Sequence, residues 1–277
     1  MNADFRYLAK QALVRAKAEL AALQDERVKY AALEVRFAME AVNYDRAQAL
    51  QAEMPPEEYK TWQPRKLMQV LHDIDPSLGM SASIAMGVEE TYGVEPPPDK
   101  MQFLGTDTVF TLADLKEHYD AIGNYLHVPS LAQFMKGGMP DGAKLRARCE
   151  KVIAALEVVL GSPIWNATFG VFTEFACGRC ESPVRKRMPH GKSEIEVTCF
   201  ECKAQYVLLS PQGDQQVLAT PKMVPMPCGN EGCSESISIW SDEVKPGVHW
   251  TCKGCGEHWV LGFGVKRVAK ENDEAAK

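Results

Sequence analysis

Cys177-Gly-Arg-Cys180, followed after 18 residues by Cys199-Phe-Glu-Cys202, and Cys228-Gly-Asn-Glu-Gly-Cys233, followed after another 18 by Cys252-Lys-Gly-Cys255, decide how this chain is read. These eight are all but one of its nine cysteines, and the ninth, Cys149, stands alone. A close pair puts two thiolates on one side of a tight loop, and two such pairs complete a tetrahedral shell. A spacer of ~15–20 residues is long enough for a hairpin to return the second pair to the first. The odd cysteine total argues against a disulfide framework. The first 20 residues mix charge into every turn, so no secretory signal is expected. Both features point to a reducing, cytoplasmic setting and to metal.

The two sets resemble each other beyond cysteine. Cys202-Lys-Ala-Gln-Tyr206-Val-Leu matches Cys255-Gly-Glu-His-Trp259-Val-Leu, with an aromatic four residues after the last ligand. Ahead of the second pair, Ile195-Glu-Val197-Thr and Val248-His-Trp250-Thr alternate as strands do. The copies lie about 53 residues apart. Residues 177–259 thus resemble two tandem four-cysteine zinc ribbons, which implies small antiparallel β structure around two Zn²⁺. A rubredoxin-like iron site takes the same ligands, and pairs one and three sharing an ion is the alternative to pairing within each ribbon. With four sulfurs per ion no position is left for water, so the sites are expected to be structural. Cys149, in the helical pattern Leu145-Arg-Ala-Arg-Cys149, reads as a small buried hydrophobe.

Thirty-one Lys and Arg against 37 Asp and Glu give the 277 residues a formal charge of −6, and eight thiolates with two divalent ions bring the loaded chain to about −10. That excludes a uniformly basic nucleic-acid protein. No apolar run approaches the ~18–20 residues of a membrane span. No Gly-rich phosphate loop, Gly-x-Ser-x-Gly elbow or His-Glu-x-x-His occurs. Glu57-Glu58 and Glu89-Glu90 read as solvated charge.

The first 54 residues lack Gly and Pro. A stripe from Phe5 through Leu8, Ala12, Leu13, Ala16, Leu20 and Leu23 predicts one helix. Asp25 is expected to cap a second through Phe37 and Val42. A helical hairpin or one long bent helix satisfies the pattern. Further helices are expected over Arg65–Ile74, from Leu112 to His127 behind Thr111, and from Asp141 to Leu160, with Gly137, Gly138 and Pro140 as an interruption. Between Ser81 and Thr111 the helical period fails, and a small β insertion is expected. The organisation read here is α+β: a helical domain over 1–162, ribbons over 163–212 and 213–268, and a flexible tail over 269–277.

Ala32-Leu-Glu-Val-Arg36-Phe-Ala-Met-Glu40 and His118-Tyr-Asp-Ala-Ile-Gly-Asn-Tyr-Leu-His127 resemble parts of HEPN-type helical domains. The resemblance covers roughly residues 1–160 and implies a ribonuclease, in a microbial defence or toxin setting, with His127 as the catalytic candidate. Active members carry Arg-x(4–6)-His, whereas the matching positions before His127 are Asp120, Ala121 and Ile122. Arg36 and Glu40 equally describe a helix-face ion pair. His127 otherwise reads as a helix-end residue, and His72 and His118 as structural.

Ribbons of this kind present hairpins or knuckles to DNA, RNA or protein. Residues 177–206 hold six Lys or Arg against four acids, and Arg179, Arg185, Lys186, Arg187 and Lys192 are the phosphate-contact candidates. The second spacer, Ser234 to Thr251, is acidic, with Lys245 against Glu235, Asp242 and Glu243. Tyr206, Trp250 and Trp259 are expected in the ribbon cores rather than stacked on bases. The leading expectation is a non-catalytic, zinc-binding adaptor for nucleic acid or protein, with dimerisation or partner contact through the helices. A structural assembly subunit is the third possibility.

Overall fold

The computed structural model describes residues 3–264 except 23, 61, 62, 92, 129, 136–140, 169, 170, 190, 211–215 and 263. Leu23, Gly137, Gly138, Pro140, the 212/213 boundary and the expected tail 269–277 therefore lie outside the described residues. By internal contacts the chain divides into two units, Met1–Val171 and Phe172–Lys277. The fold is a helical amino-terminal unit followed by small antiparallel sheets, as its sequence predicts. No helix among the described residues is long and apolar enough to cross a membrane.

In the first unit, α1 (Phe5–Ala21) and α2 (Val28–Ala49) form a hairpin rather than one bent helix. Arg15 bonds Glu34 at 2.8 Å and Arg27 bonds Glu19 at 2.6 Å across it. The Asp4 side chain accepts from the Tyr7 N–H at 2.8 Å and caps α1. Asp25 does not cap α2: it opens a 3₁₀ turn, Asp25–Arg27, that leads directly into the helix. The chain continues through α3 (Pro56–Lys60), α4 (Pro64–Ile74), the hairpin β1 (Ala82–Met86) and β2 (Gln102–Asp107), α5 (Leu112–Gly123), α6 (Leu131–Met135) and α7 (Gly142–Gly161). Thr111 and Asp114 close a reciprocal capping box on α5, and Asp141 accepts from the Lys144 N–H on α7. Helix α5 stops at Gly123, and a 3₁₀ turn over Asn124–Leu126 leaves His127 outside it.

Helix α2 packs against α1, α4, α5 and α7, which explains why its small and apolar residues Ala31, Ala32, Val35, Ala38 and Met39 are fully buried. Cys149 on α7 is also fully buried, and burial pushes its thiol up to about 12, so it behaves as a hydrophobe. Polar groups enter this core only with partners. Arg46 bonds the Asp107 carboxylate at 3.0 Å and the Leu78 carbonyl at 2.7 Å, and Asp107 also accepts from the Ala167 N–H at 3.0 Å. Asn166 donates to the Asp45 carboxylate at 2.8 Å, so the segment through 167 packs on the helical unit. Arg6 donates to the Val159 and Leu160 carbonyls at 3.0 Å, filling the carboxy-terminal end of α7.

Asp107→Ala is expected to strip Arg46 of its counter-charge inside the core and to cost about 3–5 kcal/mol in denaturant unfolding followed through helical circular dichroism. His118, 3% exposed, lies 3.3 Å from Arg148 and 3.4 Å from Glu117. Burial chiefly lowers its pKa below the ordinary 6.5, with Lys151 and Arg148 adding to the effect and Glu117 opposing it. Its neutral form is therefore favoured in the fold, and the associated stability is complete above 6.5 and lost as the pH falls through and below that value. Comparing the melting temperature of His118→Gln with that of the parent across this range should show a shallower acid-side decline in the variant.

Candidate metal centres

The second unit is built of hairpins: β3 (Val171–Ala176) with β4 (Pro183–Met188), β5 (Glu194–Thr198) with β6 (Gln205–Leu209), β8 (Met223–Pro227) with β9 (Ser236–Trp240), and β10 (His249–Thr251) with β11 (His258–Val260). An added strand, β7 (Leu218–Pro221), extends the β5–β6 sheet along β6. Each cysteine pair occupies one hairpin turn.

Three of the four turns share one hydrogen-bond pattern. The Cys177, Cys199 and Cys252 N–H groups donate to the carbonyls of Ser182, Ala204 and Glu257 at 2.8–2.9 Å. Each of those cysteine carbonyls accepts from the residue after the second cysteine, namely Glu181, Lys203 and Gly256, at 2.8–3.0 Å. To reach it, these three residues adopt φ of 62°, 66° and 75°. Only Gly256 does so without the left-handed cost of a side chain. The longer Cys228–Cys233 turn closes differently, with Cys228 N–H on the Glu235 carbonyl at 2.8 Å and Cys233 N–H on the Asn230 carbonyl at 2.9 Å.

These turns gather the sulfurs of Cys177, Cys180, Cys199 and Cys202 into one cluster and those of Cys228, Cys233, Cys252 and Cys255 into another, each with all four atoms within 4.8 Å of one another. Pairing is therefore within each ribbon, and the interleaved alternative is excluded. Cys177–Cys202 and Cys180–Cys199 are separated by 3.6 and 3.7 Å, and Cys228–Cys255 and Cys233–Cys252 by 3.6 Å. A tetrahedron with Zn–S bonds of about 2.3 Å has edges of about 3.8 Å, so the donors and their spacing fit a thiolate-bound metal ion. None of these cysteines forms a disulfide.

The hydrogen-bond environment favours the thiolate of Cys177 and, through Ser182, of Cys180 in the first cluster and of Cys252 in the second. Burial opposes ionisation of Cys177, but the Tyr206 hydroxyl and the N–H groups of Arg179 and Cys180 outweigh it and bring the thiol down to about 6. The N–H groups of Cys255 and Gly254 bring Cys252 to about 7. Burial pushes Cys202 up to about 12, so bound metal must displace its proton.

Tyr206 is 2% exposed, donates to Cys177 Sγ at 3.2 Å and accepts from the Gly178 N–H at 2.8 Å. Such contacts to ligating sulfur orient the first shell and spread its charge. Trp259 holds the equivalent place in the second ribbon, against Gly229, where a Cβ would come within 2.4 Å of the indole. It faces Trp250 across β10–β11, and both are half-buried. The aromatics thus serve the ribbon interiors, as their sequence positions imply.

Arg179 does not face solvent. It bonds Asp242 through two nitrogens at 2.7 and 3.0 Å, approaches Glu243 at 3.5 Å, donates to the Cys202 carbonyl at 2.9 Å and lies over Trp240. Trp240 stacks edge-on against Tyr206, which itself meets Phe175. The first knuckle is therefore latched to the acidic turn of the second ribbon. The basic excess of residues 177–206 and the acidic second spacer are the sequence signal that could have found this pairing. Arg187 is 3% exposed with its guanidinium over Phe172, which removes it from the contact surface. Lys186 is half-buried with its ammonium 3.7 Å from the Phe200 ring centroid, while Arg185 and Lys192 are exposed.

In the helical unit, Arg36 and Glu40 meet Tyr119 rather than His127. The Tyr119 hydroxyl accepts from Arg36 at 2.9 Å and donates to Glu40 at 2.5 Å. His127 is exposed, with no hydrogen bond or ion pair among the described residues. The HEPN resemblance finds no support in this arrangement. No protein-family profile, curated protein or solved structure matches the chain.

From Lys222 to Gly262 only Ile239 and Cys252 are buried, so apolar packing alone cannot hold the second ribbon. Chelation is expected to remove about 10–16 kcal/mol of folding free energy per site. It should abolish the near-ultraviolet signal of Trp240, Trp250 and Trp259 while leaving the helical far-ultraviolet signal of the first unit, with metal release read by a colorimetric indicator.

Proposed function

We propose that the chain is a zinc-dependent, non-catalytic adaptor in which two structural ribbons form one recognition module beside a helical unit. The supporting observation is the convergence at each centre of four sulfurs and, among the described residues, no other donor. A zinc ion there is coordinatively closed and holds backbone rather than activating water. Zinc is preferred to iron because four-thiolate structural centres most often hold it. We divide the chain into a helical domain (1–162), two ribbons (163–212 and 213–268) and a tail, with β7 crossing from the second ribbon's span to extend the first ribbon's sheet.

The partner we favour is the phosphate backbone of a nucleic acid. Arg185 and Lys192 are exposed on the first ribbon, and the half-buried Lys186 adds to them. Arg179 and Arg187 are committed to internal contacts and leave this set. Backbone contacts of this kind give affinity without base specificity and weaken with salt. A protein partner is the alternative for the same surface. No arrangement of Arg36, Glu40 and His127 favours the ribonuclease reading.

Fluorescence anisotropy of short single-stranded RNA and DNA at low salt tests this. Arg185→Glu with Lys192→Glu should weaken binding by roughly tenfold or more while leaving metal content unchanged. Equal binding by parent and variant would remove the phosphate reading.

A further inference from the structure

A cleft of about 530 Å³ opens in the helical unit where α2, α4 and α5 meet. Arg36, Arg65, Lys66 and Lys116 line it together with Gln63 and Tyr119, and no carboxylate lines it among the described residues. Its volume falls in the range of ~300–1,000 Å³ that small-molecule sites occupy. Nothing in the cysteine clusters requires these residues, and they come from three separate helices.

Arg36 is set in place before any ligand arrives. Its guanidinium donates to the Tyr119 hydroxyl at 2.9 Å, lies 4.1 Å from that ring's centroid and approaches Glu40 at 3.5 Å. Gly123 makes room for it, since a Cβ there would stand 2.6 Å from Arg36 Nη1. A guanidinium fixed this way loses little freedom on binding an anion. Arg65 pairs with the exposed Asp120, and Lys66 bonds Glu58 at 2.8 Å. The Arg65–Asp120 pair is exposed on both sides and weak, so Arg65 can exchange its carboxylate for a phosphate oxygen, while Lys66 keeps the half-buried Glu58 and adds a further donor to the cleft. Lys116 is exposed and has no ion pair among the described residues. Helix α4 also starts at this cleft, with Pro64 in its first turn and no side-chain cap from Gln63, so the positive end of its dipole adds to the field.

We infer that this cleft binds a small metabolite carrying two or more phosphates. Four convergent cations match several negative charges on one compact ligand, and a nucleoside di- or triphosphate is of the right size. The inference is independent of what the ribbons bind.

Isothermal titration of the full, zinc-loaded chain with tripolyphosphate and with ATP tests it, with bound zinc assayed before and after because polyphosphates chelate metal. One saturable site is expected, weakening as salt rises. Lys66→Glu with Lys116→Glu should reduce affinity by roughly tenfold or more, with the helical circular-dichroism signal retained to show that loss of the Lys66–Glu58 pair leaves the unit folded. Lys116→Gln alone should weaken it less, and Arg185→Glu with Lys192→Glu should leave it unchanged. Equal affinity for both ligands would assign binding to phosphate alone, and tighter ATP binding would add a nucleoside contact. Absence of saturable binding at millimolar ligand would overturn the inference. So would undiminished affinity in Lys66→Glu with Lys116→Glu, loss confined to the ribbon variant, equal binding of sulfate at matched ionic strength, or response only to a single-stranded oligonucleotide.

Discussion

Sulfur convergence is the constraint on which the carboxy-terminal unit depends. Its strands run three to six residues, and its second ribbon buries almost nothing besides Ile239 and one ligand. Such a unit cannot offset the conformational entropy of ordering through apolar contact alone. What holds it is a set of turns that point four thiols at one place, strongly enough that Glu181 and Lys203 accept a left-handed backbone to complete the pattern. The turn hydrogen bonds and the sulfur cluster are one device, because the loop that the first set closes aims the N–H groups of Arg179 and Cys180, and of Gly254 and Cys255, at a sulfur.

The helical unit rests on different physics. Helix α2 is surrounded by four other helices, so its small residues permit close approach and its long ones fill the space between. Charged groups are admitted to this interior only in satisfied sets, Arg46 with Asp107 and Glu40 with Tyr119 and Arg36. Removing either partner of such a set does more harm than the pair itself contributes.

The metal ligands and the helical character of the first half were legible because both are carried by spacing along the chain. Pairs of cysteines 18 residues apart, Thr111 three residues before Asp114, and the Gly- and Pro-free opening all specify local structure. What escaped the reading arises between distant segments. Arg179 reads from sequence as a phosphate-contact candidate, yet its partner Asp242 lies 63 positions away. Arg185 and Arg187 share one face of a strand and both lie over Phe172, and only their burial in the folded unit shows that Arg187 is the one turned inward. Asp25 had the chemistry of a cap but began a 3₁₀ turn, because the hairpin needs that short link between its helices. The cleft at Arg36 has no motif, since each helix supplies only one or two of its cations.

The strand β7 carries a practical consequence. It lies downstream of the last cysteine of the first ribbon, yet covers the open edge of β6, and the knuckle's arginine and the tyrosine beneath it both reach into the second ribbon. Excising the first ribbon at its final ligand for grafting elsewhere would leave a bare strand edge and an orphaned guanidinium. An unprotected edge recruits other chains. The smallest transplantable fragment is therefore the pair, and evolutionary shuffling or laboratory fusion should respect that seam.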